Sequence, residues 1–151
     1  MLTIFRAGKK DKANIAELFD QYRIFYQMKS DIKSSSKFID DRLNLNDSII
    51  YLAKYVNSHS SKACGFIQIY PTFSSIAMKS IWTLNDLFVN QDYRKKGCAR
   101  ALMKQVEIDA KKSNVFSIKL ATAIDNSQAK KLYESLNYKK TDLYDHYSLR
   151  I

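Results

Sequence analysis

The sequence is poor in the residues that break chains apart or staple them together. It holds one proline and three glycines among 151 residues. That excludes a Pro/Gly-rich linker, a collagen-like repeat and a low-complexity arm. Two cysteines, Cys64 and Cys98, are too few for a disulfide framework or a metal-finger spacing, so no metal is expected. They suit reduced thiols inside a cell. No apolar run is long enough to span a bilayer. The opening "MLTIFRAGKKD" lacks the apolar centre and small-residue cleavage site of a signal peptide. A cytoplasmic protein is therefore expected. Acidic residues are also scarce, 15 Asp and Glu against 25 Lys and Arg, for a net charge of +10. Such an excess suits nucleic acid, a membrane surface or a polyanionic small molecule. Most of it lies after residue 60, where 15 Lys and Arg face 8 Asp and Glu. There is no unbroken basic tail, and the cations gather at one turn, so neither nucleic acid nor membrane is the expected partner.

What is present reads as one domain over residues 1–151. The apolar fraction of 46% and charged fraction of 26% are ordinary for a globular chain. Leu2–Ala7 reads as a strand. Ile15, Leu18, Phe19 and Tyr22 recur at helical spacing, so a helix covers about Lys10–Tyr26. A shorter helix, with Phe38, Ile39 and Leu43, is expected after the serines of "SDIKSSSKF". Ser48–Val56, Lys62–Tyr70 and Lys79–Val89 are strands by their β-branched and aromatic content, with turns at Asn57–Ser61 and Pro71–Ser75. Ala99, Leu102, Met103, Val106 and Ala110 form a helical stripe, and Ser117–Thr122 is a strand. Asn126 caps a helix carrying Ala129, Leu132, Tyr133 and Leu136. Tyr138–Lys140 and Tyr144–Ile151 are expected to close as strands. The order βααβββαβαββ implies a mixed sheet with helices packed on it.

Two stretches carry chemistry. In "LFVNQDYRKKGCARALM", three cations (Arg94, Lys95 and Lys96) precede Gly97, Cys98, Ala99 and Arg100 where a strand hands over to a helix. A helix start offers unpaired N–H groups and partial positive charge, and glycine lets the backbone approach a ligand closely. Two readings stand on the residues alone: a solvated basic turn, or a seat for a phosphorylated ligand. There is no Walker loop and no three-glycine dinucleotide fingerprint. In "DNSQAKKLYESLNY", Tyr133 lies on a capped amphipathic helix. By itself it reads as core.

Together, the order strand, Arg-x-x-Gly-x-Ala, helix, strand, Asn-x-x-Ala-x-x-Leu-Tyr closely resembles the GNAT superfamily of acetyl-CoA-dependent N-acetyltransferases. The resemblance spans essentially the whole chain. It implies a mixed α/β (α+β) acyl-CoA N-acyltransferase fold, a mostly antiparallel sheet of about seven strands flanked by about four helices. It implies acetyl-CoA as cosubstrate. The loop Arg94–Ala99 then binds the pyrophosphate through backbone N–H groups. Leu87, Phe88 and Val89 pair with the pantetheine arm, with Val89 N–H at the developing oxyanion. Asn126 bonds the pantetheine region and Ala129 keeps a small face beside it. Tyr133 gives a proton to the departing thiolate.

The base is expected near "WTLNDLFV". Related polyamine acetyltransferases carry a Glu where this chain has Asn85, which favours a water-mediated route. Asp86 is the only carboxylate of the strand. By simple alternation it shares a face with Trp82, Leu84 and Phe88, where burial would raise its pKa toward that of a base or relay. The other reading is a carboxylate accepting backbone hydrogen bonds at a sheet irregularity. The resemblance implies that Tyr22 and Tyr26, toward the end of the first helix, and Tyr70 and Phe73, in a facing loop, wall the acceptor site, where aromatic faces suit an ammonium. Phe25 reads as core packing. Asp31, Asp40 and Asp41 read as solvated loop acids or as attractors of a cationic acceptor. Cys98 and Cys64 read as packing residues, His59 as a turn residue and His146 as a structural or dimer-contact residue of the last strand. The expected activity is N-acetylation of a small primary amine, polyamine-like or amino-acid-like. A protein lysine, an aminoglycoside, or acyl-CoA sensing without turnover are the alternatives. As in the similar dimers of that superfamily, the C-terminal strands are expected to pair into a homodimer.

Overall fold

The apolar alternation of the first half becomes a meander. In the computed structural model, which describes all 151 residues, β1 (Leu2–Arg6) is followed by α1 (Lys12–Phe25) and α2 (Ile32–Leu45), then β2 (Ile49–Val56), β3 (Ser61–Ser74) and β4 (Lys79–Val89). α3 (Cys98–Lys112) crosses over to β5 (Ser117–Leu120), and α4 (Ser127–Ser135) follows. The sheet runs β1-β2-β3-β4-β5. It is antiparallel up to β4, and β4 pairs β5 in parallel. No helix is long and apolar enough to cross a membrane. The chain divides into two units, Met1–Ala121 and Thr122–Ile151.

In the first unit the sheet is covered on both faces. Ile15 and Leu18 of α1 and Ile39 of α2 meet Ile50, Leu52, Phe66 and Phe88 in one buried cluster. On the other face α3 buries Leu102, Met103 and Val106, and Tyr51 Oη donates to Asp109 Oδ2 at 2.9 Å. Each such apolar side chain contributes about 1.5–3 kcal/mol on burial.

The serines of residues 34–36 lie inside α2, not ahead of it. Asp31 is the cap, its side chain accepting from Ser34 N–H at 3.0 Å, and the first serines fill the opening turns. Pro71–Ser74 continue β3, where a turn was expected. β2 pairs β3 only as far as Ile69, so beyond it β3 has β4 alone as neighbour, and a proline without an N–H is tolerated at such an edge. The reversal falls at residues 75–78 instead, with Met78 at φ 51°.

In the second unit α4 is capped by Asn126, whose Oδ1 accepts from Ala129 N–H at 3.1 Å. Asn137, at φ 66°, closes it, with Tyr138 N–H donating to Tyr133 O at 3.0 Å. Tyr138–Lys140 and Tyr144–Ile151 carry no strand, so the sheet has five strands where about seven were expected. Alternation alone does not make a strand, which also needs a ladder for its backbone groups. Leu143, Tyr144, Tyr147 and Leu149 are exposed, among the charges of Lys139, Lys140, Asp142 and Asp145.

Candidate active site

A register slip builds the centre of the site. β3 and β4 pair Phe66 with Phe88 and Gln68 with Asp86, but the next pair is Ile69 with Leu84. Asn85 is therefore an extra residue, a β-bulge. Paired residues share a face, so the slip reverses the alternation. Asp86 and Phe88 turn to the α1 face, and Trp82 and Leu84 to the α3 face. The expectation that Asp86 shares a face with Trp82 and Leu84 is corrected by the bulge, which alternation from sequence cannot anticipate.

Asp86 is buried, 4% exposed. Gln68 Nε2 donates to its Oδ2 at 3.0 Å and Asn85 Nδ2 to its Oδ1 at 3.1 Å. The Tyr22 hydroxyl reaches it from α1. Burial raises the Asp86 pKa, and these three hydrogen bonds offset only part of the rise. Gln68 Nε2 also donates to Tyr70 Oη at 2.7 Å. Burial, with the Asp86 charge nearby, pushes the Tyr70 phenol up to about 12.

Next to the slip, β4 has an open edge. The ladder between β4 and β5 ends at Leu84 with Leu120, so Leu87, Phe88 and Val89 have no β5 partner. Asn90 N–H donates to Cys64 O at 2.9 Å on the β3 side. Alternation along the strand then sends the N–H groups of Leu87 and Val89 to the unpartnered edge.

The basic turn follows directly. A 3₁₀ turn, Gln91–Tyr93, leads to Arg94 and Lys95, and Gly97 stands at φ 82° as the N-cap of α3. Only glycine takes that backbone without strain. A Cβ there would meet nothing within 4 Å, so the space over the turn is clear. The N–H groups of Cys98 and Ala99 open the helix and have no partner within it. Two of the three cations brace the turn itself. Arg94 Nε donates to Val89 O at 3.0 Å, and its guanidinium lies over Phe25 and Phe88 at 5.5 and 5.7 Å. Lys96 Nζ donates to Asp92 O at 2.8 Å, while its own carbonyl accepts from Tyr55 Oη at 3.0 Å. Lys95 is exposed at φ 60°. Beneath the turn, Gly65 lets β3 and β4 close on the helix start: a Cβ would lie 2.8 Å from Phe88 O and 3.2 Å from Cys98 Sγ. Cys64 and Cys98 are buried as expected, with their sulfurs 3.6 Å apart.

Beside this turn lies a cleft of about 410 Å³, lined by Gln21, Ile24, Phe25, Phe88, Asn90 and Arg94 among others. Phe25 is not core: it is 48% exposed, under Arg94, because α1 ends there. Tyr22 and Tyr26 meet edge to face at 5.0 Å. Thus Tyr22, Asn85, Asp86 and Tyr70 come together, and Leu87–Val89 run into Arg94–Arg100. Phe73 does not join them; it is 78% exposed near the hairpin end, opposite Ser80. Asn126, Ala129 and Tyr133 lie in the second unit, Tyr133 with its ring 6.2 Å from that of Tyr138. Asp31 caps α2, Asp40 pairs with Lys12 at 3.3 Å and Asp41 with Lys37 at 2.6 Å.

Three structural residues were missed by sequence reasoning. Gln68 is a lone polar residue in "FIQIY", a signal that was there to read. Asn90 Nδ2 donates to Gln21 Oε1 at 2.8 Å, tying α1 to the exit of β4. Buried Asp20 accepts from Ser30 Oγ, Asp31 N–H and Ser35 Oγ at 2.6, 2.8 and 3.0 Å, holding the segment between α1 and α2.

Comparison with known proteins bears on the same residues. The model of the acetyltransferase (GNAT) family matches residues 15–138. An uncharacterized N-acetyltransferase of Bacillus subtilis (strain 168), YhfO, is 37% identical over 150 residues, 99% of this chain and 98% of that protein. The crystal structure of a probable acetyltransferase superposes with a TM-score of 0.90 at 34% identity, covering 99% of this chain and 97% of the other. AAC(6')-Iy, solved with the bisubstrate analog CoA-S-monomethyl-acetylneamine, has a TM-score of 0.78 at 16% identity over 100% and 99% of the two chains, a likeness of fold.

Proposed function

Because this chain belongs to the GNAT family and is an acetyl-CoA-dependent N-acetyltransferase, we propose that it acetylates a small primary amine, polyamine-like or amino-acid-like, by direct attack within a ternary complex. The observation that carries the reading is the bulge, which puts one buried carboxylate, Asp86, beside a strand edge that leads straight into a glycine-capped helix start. The residues fit the cosubstrate. The opening N–H groups of α3 suit its phosphates, the clear space over Gly97 admits them, and the unpartnered edge of Leu87–Val89 suits its amide-bearing arm. Bound there, acetyl-CoA supplies the activated acetyl thioester.

The remaining steps belong to the chain. An amine attacks only when neutral, so Asp86 takes its proton, through water in our reading because Asn85 replaces the related Glu. A raised pKa suits that exchange near neutral pH. Val89 N–H is assigned to the charge that develops on the carbonyl oxygen, and Tyr133 to protonation of the leaving thiolate. Tyr22 and Tyr26 face the incoming ammonium. The buried thiols Cys64 and Cys98 suit a reducing, cytoplasmic setting. The exposed apolar residues of the C-terminal segment suit contact in a homodimer.

The deciding experiment measures CoA release from acetyl-CoA over polyamines, amino acids, aminoglycosides and lysine peptides. A small amine is expected to turn over best, with Asp86→Asn lowering kcat by about 10²-fold or more and Tyr133→Phe lowering it with little change in acetyl-CoA affinity. Preference for a lysine peptide or an aminoglycoside would overturn the acceptor assignment. Full turnover in Tyr133→Phe would remove its role as acid.

A further inference from the structure

From its bonds on β3 we infer that Gln68 is a positioning residue, whose amide fixes where the Asp86 carboxylate points and which way the Tyr70 hydroxyl presents its proton. This rests on the reading of Asp86 as the proton acceptor. Gln68 is fully buried, 0% exposed, in a stretch whose neighbours Phe66, Ile67 and Ile69 are all buried and apolar. A buried amide without partners loses its hydrogen bonds to water with nothing in return, and this one has a partner at each end. Its two N–H bonds go to Asp86 Oδ2 at 3.0 Å and Tyr70 Oη at 2.7 Å. Its Oε1 accepts from Ser48 Oγ at 3.4 Å. Chemistry fixes the orientation, because an ionised carboxylate only accepts and the NH₂ end must face it. Tyr70 is half-buried, and its Oη, accepting from Gln68, keeps its own proton for another acceptor. Gln68 pairs with Asp86 at the last position before the register slip, so the bond also pins the bulge.

The groups facing the carboxylate are Tyr22 from α1, Gln68 and Tyr70 from β3, and Asn85 beside it. Farther out, Arg42 and Asp47 act on Tyr70 and pair with each other at 3.2 Å. The donors to Asp86 are thus neutral amides and a hydroxyl, and removing one acts directly on its charged form.

The test is a ¹³C-carboxyl NMR titration of aspartate-labelled protein, with Asp86→Asn assigning the resonance. Gln68→Met fills similar space without donors. Its Asp86 midpoint is expected to rise by about one pH unit or more, the scale of a lost hydrogen bond to a charge. Gln68→Glu keeps the shape and supplies a second variant should Gln68→Met not fold. There one carboxyl of the pair is expected to stay protonated further toward neutral pH than Asp86 does in the parent. Acetyl-CoA affinity is expected to stay within twofold in both, as a general packing defect would not allow. An unmoved midpoint in the folded variants overturns the inference about Gln68. A parent midpoint at the ordinary aspartate value would instead overturn the reading of Asp86, whatever the variants do.

Discussion

Ionising Asp86 costs the folded chain stability. Its pKa is raised above the ordinary value of 3.8, chiefly by burial, so above that value the folded state holds a proton more tightly than the unfolded state does. Stability then falls as pH rises from 3.8 through the folded pKa and levels beyond it. Asp86→Asn is therefore expected to match the parent in melting temperature near pH 3 and to exceed it at pH 7–8, while losing turnover. Thermal melts across that range check it; a variant less stable at pH 8 would contradict the sign. Asp20 behaves in the opposite way. Burial alone would raise it, but hydrogen bonds from Ser30, Asp31 N–H and Ser35, with Arg23 alongside, outweigh that and hold it below 3.8. Its contribution is present above 3.8 and lost as pH falls through the folded pKa. Asp20→Ala is expected to cost about 1–3 kcal/mol at neutral pH, with the gap from the parent narrowing in acid. Asp86 was legible in the sequence as the one carboxylate of its strand. The reach of Asp20 to Ser30 and Ser35, and of Gln68 to Asp86, was not, because each is set by packing between elements and leaves no local spacing to read.

Two glycines govern how the elements meet at the basic turn, and they fail differently. Gly65 sits where β3, β4 and the start of α3 converge, and a methyl there would press on the backbone oxygen of Phe88 at 2.8 Å. Gly65→Ala is expected to destabilise by about 1–3 kcal/mol through overpacking, seen as a lower melting temperature. Gly97 has room for a side chain but not the backbone for one, at φ 82°. Gly97→Ala is expected to cost about 1–2 kcal/mol in strain. Gly97→Glu adds a negative charge over the opening N–H groups of α3 and is expected to weaken acetyl-CoA binding at least tenfold by calorimetry. Unchanged affinity would sink the pyrophosphate assignment. At this scale most of the fold was readable. Helical spacing located α1 and α3, and β-branched and aromatic runs located β2, β3 and β4. The order of strand and helix carried the family resemblance that the family model bears out. What escaped was what periodicity does not encode. The bulge at Asn85 reverses the face of Asp86. β3 runs on through Pro71 because its neighbour has ended. The alternation after Tyr138 forms no ladder.

For the whole molecule the charge excess is the property that no single contact accounts for. The turn spends Arg94 on Val89 O and Lys96 on Asp92 O, so those two cations brace the backbone before they meet any ligand. We propose that the net +10 acts instead as a field that draws in a polyanion such as the phosphate-bearing end of acetyl-CoA. A field of this kind is screened, with a Debye length of about 10 Å at 0.1 M salt and about 3 Å at 1 M. Raising salt from 50 to 500 mM is expected to weaken acetyl-CoA binding several-fold, with the loss falling mainly on the association rate. Short-range hydrogen bonds from the proposed phosphate seat at the α3 start would screen far less, so the dissociation rate is expected to move little. Stopped-flow binding at several salt concentrations separates the two. An association rate indifferent to salt would assign the charge to solubility alone, and the proposed phosphate seat would then work without help from the field.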